Sequence, residues 1–415
     1  MKIVIYTLGC KVNKYESDAL LYALSKLGHQ VSEKLEYADI YILNTCAVTN
    51  EAERKSRQMI SKFKELNPNS KILVCGCASE KNAEQFKNLP NVTYVIGTYN
   101  KLSLISNLDS NGVNIEKSKT IYESNYKTTT QNVRAYVKIQ DGCNNFCTYC
   151  IIPYLRGRSR SRDVFSIITE IDELAGQVKE IVLTGINLTD FKIDDELAID
   201  KLLIDLVPYT DRVRFRLGSL EQAIVEQKFI DAMKQVNLCP HFHLSLQSGS
   251  DSVLKRMNRH YRAKEFMNSI KLLRKNFVNP AITTDVIVGF PEETDKEFKQ
   301  TVRFIKKAKF FNLHIFPYSN RTGTVASKLP QIDGNTKRKR VKILEKINKK
   351  LNKNYIKKSK KYEYNLLVEE YDGEYFVGHT ENYIKCYIKG DYVPGDIVKI
   401  KIAKPFKDGA LSHCV

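Results

Sequence analysis

Three cysteines in the segment DGCNNFCTYCIIPYLRGRSRSR (141–162) have the residue type and spacing of metal ligands. Cys143, Cys147 and Cys150, which we call the central triad, follow a C-x3-C-x2-C pattern with no fourth cysteine and no histidine close by. Structural zinc takes four ligands, usually as two closely spaced pairs, so a zinc site would be incomplete here. A four-iron cluster held by three thiolates leaves one iron free for a small molecule. The spacing therefore favours an iron–sulfur cluster with an open position.

Three further cysteines come at the carboxyl ends of predicted strands. The strands are predicted at 2–8, 39–45 and 71–76. The cysteines are Cys10, Cys46 and Cys77, which we call the N-terminal triad. Ends of parallel strands meet at one edge of a sheet, where ligands bind, and the helix N-termini that follow would stabilise thiolates. One such cysteine is usually only a small buried residue, but three at equivalent ends indicate a second cluster with an open iron.

The remaining composition indicates a globular protein with a polyanionic partner. At 415 residues, the chain is long enough for two or three domains. Its apolar fraction of 42% excludes a disordered chain. The excess of 66 Lys and Arg over 47 Asp and Glu gives a net charge of +19. This charge favours nucleic acid as a partner, although a lysine-rich proteome would also produce it.

The cysteines are expected to stay reduced, because the sequence predicts a cytoplasmic protein. The start, MKIVIYTLGC, reads as a strand and not as a targeting signal. No apolar run has the length of a membrane helix. Cytosolic cysteines are more often ligands, catalysts or core residues than disulfides. Cys75 is predicted to face inward on its strand, and three others are interpreted as unrelated to the clusters: Cys239, Cys386 and Cys414.

An open parallel α/β sheet is predicted for an N-terminal domain at 1–105, because strands and helices alternate there. Helices are expected near 50–66 and 80–88, and a fourth strand at 92–97. A first helix carries Asn13 and Glu16 at the spacing of a capping box. The polar, aperiodic stretch 106–132 is predicted to be a linker.

The alternation resumes in a second domain, predicted at 133–355. Six strands are expected near 135–140, 180–185, 213–217, 242–247, 283–288 and 313–316. Six strand–helix steps predict a partial βα barrel, because a full barrel needs more chain. The segment 337–361 has a local net charge of +12, and its apolar residues recur at helical spacing. This pattern is typical of a solvated amphipathic helix and equally compatible with binding phosphates. Short strands at 356–415 predict a small antiparallel β-barrel of a kind that binds single-stranded nucleic acid.

Motifs along nearly the whole chain resemble the methylthiotransferases of the radical S-adenosylmethionine family. The N-terminal motifs are TLGCKVNKYES, LNTCAVTNEAERKSRQ and VCGCASE, followed by GCNNFCTYCIIPYLRGRSRSR. Further matches are LTGINLTDF, RLGSLE, HLSLQSGSDSVLKRMNRHY, TTDVIVGFPEET and FPYSNRTGTVA. The resemblance extends to a C-terminal domain like the TRAM module.

The resemblance implies two 4Fe-4S clusters and S-adenosylmethionine as cofactors. One S-adenosylmethionine would supply a methyl group, and another, cleaved at the central triad, would give a 5′-deoxyadenosyl radical that abstracts hydrogen from the substrate carbon. The N-terminal triad would present the sulfur. The cofactors carry the reactivity and the protein positions them, so no side chain is assigned a catalytic role.

Seven residues are candidate contacts of the cosubstrate: Tyr149, Gly185, Asn187, Glu221, Ser245, Gln247 and Arg259. Tyr149 adjoins Cys150, as is typical of the family. Gly185 and Asn187 follow a barrel strand, where barrel active sites occur, although a glycine there can simply form a turn.

The other four candidates each have an ordinary structural alternative. Glu221 would accept hydrogen bonds from ribose hydroxyls, or be an exposed acid. Ser245 and Gln247 lie at period two on a predicted strand and would point into the barrel, or complete a polar core. Arg259 would pair with the cosubstrate carboxylate, in competition with two neighbouring arginines.

The motif GCKVNKYES resembles the branch that acts on threonylcarbamoyladenosine beside the anticodon of tRNA. The alternatives are isopentenyladenosine in tRNA and an aspartate of a ribosomal protein. The charge of +19 favours RNA over a basic ribosomal protein, and it does not choose between the two adenosines. The expected partners are the anticodon arm of tRNA, an electron donor and a sulfur source, with no membrane and a monomeric enzyme. A non-catalytic RNA-binding protein with structural metal is a second class, disfavoured by two incomplete ligand sets.

Overall fold

The computed structural model describes residues 1–116, 121–123, 126–128 and 132–415. The predicted linker at 106–132 therefore lies partly outside the described residues. Within it, Gly112–Asn114 is a strand of the N-terminal sheet. This strand is three residues long, too short for its alternation to stand out among polar neighbours.

The N-terminal sheet has six parallel strands, which confirms the predicted α/β class. Their order across the sheet is Gln30–Ser32, Lys2–Thr7, Ile40–Thr45, Lys71–Gly76, Val92–Ile96 and Gly112–Asn114. The accompanying helices are Lys11–Lys26, Asn50–Leu66, Cys77–Lys81 and Ala83–Lys87, with a 3-10 helix at Lys101–Asn107. Separate apolar clusters lie on the two faces, so the central strand Ile40–Thr45 is buried along its whole length.

The helix Lys11–Lys26 begins directly after Cys10, whose backbone is extended. The predicted capping box is wrong, because Asn13 and Glu16 lie within the helix and are buried. The Nδ2 atom of Asn13 donates to the carbonyl oxygen of Leu8 at 2.7 Å, and Glu16 forms ion pairs with other elements. Both residues make tertiary contacts, which their spacing in the sequence does not reveal.

The central domain is the predicted partial βα barrel. Its parallel strands are Arg134–Lys138, Glu180–Thr184, Arg214–Leu217, Ser219–Leu220, His241–Leu244, Ala281–Val288 and Asn312–Pro317. Its helices are Ile152–Arg156, Val164–Ala175, Ile199–Asp205, Gln227–Gln235, Asp251–Arg256, Ala263–Asn276 and Asp295–Ala308. The first and last strands are both sheet edges, so the barrel is open between them.

Short elements complete the loops of this domain. They are the strand pairs Gln140–Asp141 with Arg160–Ser161 and Lys192–Ile193 with Glu196–Leu197, and 3-10 helices at Leu188–Asp190, Val207–Tyr209, Gln222–Ile224 and Val325–Lys328. The pair at Gln140–Asp141 lies just before the central triad and anchors that loop to the barrel.

A basic helix, Gly334–Ser359, leads into the C-terminal barrel. Asp333 caps the helix by accepting hydrogen bonds from the amides of Asn335 and Thr336. The barrel strands are Glu363–Tyr371, Phe376–Thr380, Lys385–Ile388, Ile397–Phe406 and Gly409–Cys414. They close as predicted, and one pair, Lys385–Ile388 with Gly409–Cys414, is parallel. No helix in the described part of the chain is long and apolar enough to cross a membrane.

The N-terminal sheet covers the open side of the central barrel. Glu16 lies 2.8 Å from Lys138 on the first barrel strand, and Glu53 lies 2.9 Å from Arg321, which follows the last strand. The C-terminal barrel packs at the opposite, amino ends of the strands, where Arg214 donates to the carbonyl oxygen of Asn365 at 3.0 Å. The carboxyl ends of both sets of strands therefore lie near each other.

Candidate active site

Two glycines bring the loops of the N-terminal triad together at the carboxyl edge of the N-terminal sheet. Gly9 has a φ of +105°, and a Cβ on it would lie 2.9 Å from the Cβ of Cys46. Gly76 has the same φ, and a Cβ there would lie 2.5 Å from the carbonyl oxygen of Thr45. Each glycine precedes a triad cysteine, so glycine is needed both for the positive φ and for the close approach.

The central triad is held in a loop that also depends on a glycine. Gly142 has a φ of +71°, and a Cβ on it would lie 1.9 Å from the carbonyl oxygen of Arg158. The Nη1 atom of Arg259 lies 3.4 Å from the Sγ atom of Cys147. Burial raises the pKa of Cys143 and of Cys150 to about 12. Without a metal, these thiols therefore keep their protons near neutral pH. Binding of a cationic metal group displaces the protons.

A buried ion network joins the two triads. Its members are the cations Lys101, Lys138, Arg156 and Arg160 and the carboxylates Glu16 and Asp141, and all six are buried. Arg156 donates to both carboxylates, at 2.9 Å and 3.0 Å, and its charge also acts on Cys77. Burial opposes ionisation of Glu16, but the cations around it hold its pKa well below the usual range.

Among the described residues, the network has four buried cations and two buried carboxylates, and the half-buried Glu123 adds one further negative charge near Lys138. Surplus positive charge in a protein interior is costly unless negative charge lies nearby. The thiolates of a cluster at the N-terminal triad would supply that charge. The residues present therefore fit an anionic iron–sulfur group.

Three of the predicted cosubstrate contacts meet beside the central triad. The Nη1 atom of Arg259 lies 2.8 Å from Oε1 of Glu221, which also accepts from Asn145 at 2.6 Å. The hydroxyl of Tyr261 and the guanidinium of Arg259 both donate to the backbone oxygen of Ser245. Arg259 thus pairs with a carboxylate of the protein itself, and this holds its guanidinium next to Cys147.

Gly185 and Asn187 lie against Gln140. A Cβ on Gly185 would lie 2.9 Å from Oε1 of Gln140, and the same oxygen accepts from the backbone amide of Asn187 at 2.8 Å. The Nδ2 atom of Asn187 is buried near the carboxylate of Asp190, but it makes no hydrogen bond of ordinary length and angle to a described residue. An unsatisfied buried donor is costly, so this amide fits a site that a polar ligand completes.

Tyr149 and Gln247 differ from the pattern expected of them. Tyr149 packs against an apolar cluster that includes Met257 and Tyr318. The predicted strand 242–247 ends at Leu244, and Gln247 has a φ of +63°, so period-two alternation does not reach Gln247.

The sequence reasoning missed Lys138, Asp141, Arg156 and Arg160 as site residues. Their signal was available, since two of them lie on or just after a buried strand and two on the loop that follows the central triad. Charged residues in such buried elements need partners. The partner Glu16 lies more than a hundred residues away in the chain, which spacing does not show.

A partial βα barrel with three cysteines at its mouth defines a radical S-adenosylmethionine enzyme, and here a second three-cysteine site adjoins it. The Radical SAM superfamily model matches residues 137–305, and that of Uncharacterized protein family UPF0004 matches residues 2–97. Among solved structures, the radical S-adenosylmethionine methyltransferase TsrM from Kitasatospora setae, with cobalamin and a 4Fe-4S cluster bound, is similar with a TM-score of 0.57. That likeness covers 79% of this chain and 77% of TsrM at 13% identity, and it concerns the fold alone.

Curated relatives match over nearly the full length. The threonylcarbamoyladenosine tRNA methylthiotransferase MtaB of Bacillus subtilis (strain 168) is 38% identical over 100% of this chain and 97% of its own. The protein of the same name from Thermotoga maritima is 37% identical over 99% and 97%. The tRNA-2-methylthio-N(6)-dimethylallyladenosine synthase of Thermodesulfovibrio yellowstonii is 36% identical over 97% and 96%. The chain belongs to the radical S-adenosylmethionine methylthiotransferase family.

Proposed function

We propose that this chain is a tRNA methylthiotransferase that places a methylthio group on C2 of N6-threonylcarbamoyladenosine beside the anticodon. The observation that carries this conclusion is the pair of three-cysteine sites joined by one buried ion network. A single structural metal would not need two open sites side by side. Relatives that bear the name of this activity match the whole chain.

Two 4Fe-4S clusters and S-adenosylmethionine are the cofactors, one cluster at each triad. The chemistry that they supply when bound is radical generation at the central triad and sulfur delivery at the N-terminal triad. Arg156 fixes the position of the N-terminal triad relative to the central triad through its ion pair with Glu16. The N-terminal sheet covers the open side of the barrel. Exclusion of water from this space protects a reactive species.

Four residues beside the central triad are proposed to hold the cosubstrate. Asn187 has a buried amide nitrogen to donate. Glu221 offers carboxylate oxygens to ribose hydroxyls, and Arg259 fixes that carboxylate while facing Cys147. Ser245 follows the strand His241–Leu244, and its backbone oxygen already accepts from Tyr261, so its hydroxyl is the group left for the ligand. Gly185, Gln247 and Tyr149 shape the wall of the site.

The basic helix Gly334–Ser359 is proposed as the surface for the anticodon arm. Its first turns expose Arg338, Lys339, Lys342 and Lys346 along a shallow groove. Four cations on one face attract a phosphate backbone. The proposal also includes an electron donor, a sulfur source, a cytoplasmic location and a monomeric enzyme.

Methylthiolation of matched RNA substrates tests this function. Two anticodon stem–loops of one sequence would carry either N6-threonylcarbamoyladenosine or isopentenyladenosine at the same position. The reconstituted enzyme should methylthiolate the first, as mass spectrometry of the digested nucleosides would reveal. Reaction with the isopentenyladenosine stem–loop alone would assign the enzyme to the isopentenyladenosine branch. Reaction with neither stem–loop would refute a tRNA methylthiotransferase activity.

A further inference from the structure

Three polar side chains form a cluster inside the central barrel that includes none of the triad cysteines. His243, Asp285 and His314 come from three adjacent strands, His241–Leu244, Ala281–Val288 and Asn312–Pro317. Asp285 is the direct register partner of His314. We call these three residues the lumen cluster.

The lumen cluster faces the interior of the barrel. Its neighbours along the strands, Phe242, Leu244, Val286 and Leu313, belong to the apolar core between strands and helices. Side chains alternate between the two faces of a strand, so the cluster points the other way, into the lumen. The side chain of His314 is 50% exposed and that of Asp285 is 25% exposed, so both are accessible from the lumen.

The spacing of the three ligand atoms matches a shared metal ion. Nε2 of His243 lies 3.2 Å from Oδ2 of Asp285, and Nδ1 of His314 lies 3.2 Å from Oδ1 of the same carboxylate. All of the ligand atoms lie within 4.8 Å of one another. Two nitrogen or oxygen ligands about 2.1 Å from a tetrahedral zinc ion lie about 3.4 Å apart. The cluster therefore has the dimensions of a three-ligand metal site.

Hydrogen bonds from the two imidazoles to Asp285 are the alternative to a metal ion, since 3.2 Å lies at the long end of the N–H···O range. In this same protein, Nδ1 of His379 lies 2.9 Å from Oε1 of Glu369, within the range of a charge-assisted bond. The zinc content of the protein decides between the two arrangements.

The other nitrogen of His243 has the partner that a metal-bound histidine needs. Its Nδ1 atom lies 3.0 Å from Oγ1 of Thr283. Ligating histidines usually donate their second ring N–H to an oxygen, and this fixes the ring orientation and leaves the first nitrogen for the metal. Thr283 comes from the same strand as Asp285, so the support and the ligand are held by one element.

We propose that His243, Asp285 and His314 bind one divalent transition-metal ion in the lumen of the barrel. Two imidazoles and one carboxylate suit zinc and other first-row dications. Three protein ligands leave further coordination positions open, and these face the accessible lumen.

The open positions indicate what the ion is for, and this step rests on the proposed function. The threonylcarbamoyl group carries a carboxylate, a hydroxyl and a urea oxygen, and oxygen donors of this kind bind dications. The ion anchors this group while the adenine ring extends towards the triads. Isopentenyladenosine has no such oxygen atoms, so the same site separates the two substrates.

Zinc binding by the cluster-loaded enzyme tests the proposal without tRNA or S-adenosylmethionine. Loading both clusters first occupies the six triad cysteines. The enzyme would then be equilibrated with zinc and desalted, and zinc and iron would be counted by mass spectrometry. About one zinc per chain should remain beside the cluster iron, and its X-ray absorption should indicate nitrogen and oxygen neighbours only. Absence of bound zinc, or sulfur ligands around it, would overturn the site.

Matched variants locate the ion. Asp285→Asn preserves the shape of the side chain and should lose the zinc, and His314→Gln, at a half-exposed position, should do the same. His379→Gln removes a histidine that is paired with a carboxylate outside the lumen, and it should keep the zinc. Wild-type zinc content in both lumen variants would overturn the proposal. Zinc is counted without substrate, so a missing zinc ion can be told apart from a missing tRNA methylthiolation activity.

Discussion

The Nη1 atom of Arg156 lies 2.9 Å from Oε1 of Glu16, and both side chains are fully buried. Glu16 belongs to the helix that begins after Cys10. Arg156 ends the short helix that follows the central triad. One ion pair thus ties together the two segments that carry the triads, so the N-terminal sheet is fixed relative to the mouth of the barrel.

Arg156→Met should destabilise the protein strongly, because Glu16, Asp141 and Asn13 all accept buried hydrogen bonds from this guanidinium and would lose them. Removing one partner of a buried ion pair costs about 3–5 kcal/mol. The midpoint of urea unfolding, followed by circular dichroism, should therefore fall. Arg158→Met is the matched control, since Arg158 is exposed two residues further on and lies over the ring of Phe146. Equal midpoints for the two variants would contradict a joining role for Arg156.

Replacement of the central triad by alanine should remove one of two clusters. After anaerobic reconstitution, the wild-type protein should hold about eight irons and the triple variant about half of them. The triple variant should release no 5′-deoxyadenosine from S-adenosylmethionine under a strong reductant. Full iron content in this variant would mean that Cys143, Cys147 and Cys150 hold no cluster.

Cys10→Ala should separate the two halves of the reaction. Radical generation depends on the central triad, so 5′-deoxyadenosine should still be released under a strong reductant. Methylthiolation should stop, because sulfur delivery depends on the N-terminal triad. As a control, the iron content of the Cys10→Ala protein must show that the cluster at the central triad is intact. Loss of 5′-deoxyadenosine release from such a protein would contradict the assignment of radical generation to the central triad alone.

The basic helix should contribute several ionic interactions with tRNA phosphates. Changing the exposed residues Arg338, Lys339, Lys342 and Lys346 to Gln should weaken binding. The log–log salt slope should fall by about one unit for each phosphate interaction that the substitutions remove. Release of 5′-deoxyadenosine without RNA should stay unchanged, because these exposed side chains belong to neither triad and to none of the proposed cosubstrate contacts. If the tRNA affinity and the salt slope of tRNA binding are unchanged, the helix is a solvated surface that does not contact tRNA phosphates.

Arg340 is the control for that experiment. It lies on the same helix, but it is buried and pairs with Glu293 at 2.7 Å. Arg340→Gln should therefore lower the urea midpoint. In protein that remains folded, the salt slope of tRNA binding should stay at the wild-type value. A reduced slope in folded Arg340→Gln would show that charge on the buried face also contributes to binding.

Most of the strands were predictable because their signals are local: a short, largely apolar run bounded by turn residues. The strands Gln30–Ser32, Gly112–Asn114 and Ser219–Leu220 were not predicted, because two or three residues show no clear alternation.

Each triad cysteine follows a strand or lies in a dense motif, and its role as a cluster ligand stays a prediction. Three of the cysteines, Cys10, Cys77 and Cys143, follow a glycine with positive φ. Only glycine adopts this conformation freely, so the Gly-Cys pairs were themselves a signal.

Pairings between distant side chains were not predictable in the same way. Asn13 and Glu16 have the spacing of a cap, yet the interior of the fold uses both for tertiary contacts. Glu221 and Arg259 were assigned separately to the cosubstrate, and they contact each other at 2.8 Å. The lumen cluster requires the register of three strands. Its signal is a histidine or aspartate alternating with apolar residues, which is equally typical of a half-buried surface strand.

The most direct test of the proposed activity is mass spectrometry of tRNA nucleosides from cells with and without this gene. Cells with the gene should contain 2-methylthio-N6-threonylcarbamoyladenosine, and cells without it should accumulate the form that lacks the methylthio group. A plasmid copy should restore the modified nucleoside, and a Cys10→Ala copy should not. If N6-threonylcarbamoyladenosine and its methylthio derivative are unchanged by loss of the gene, this protein does not carry out that reaction.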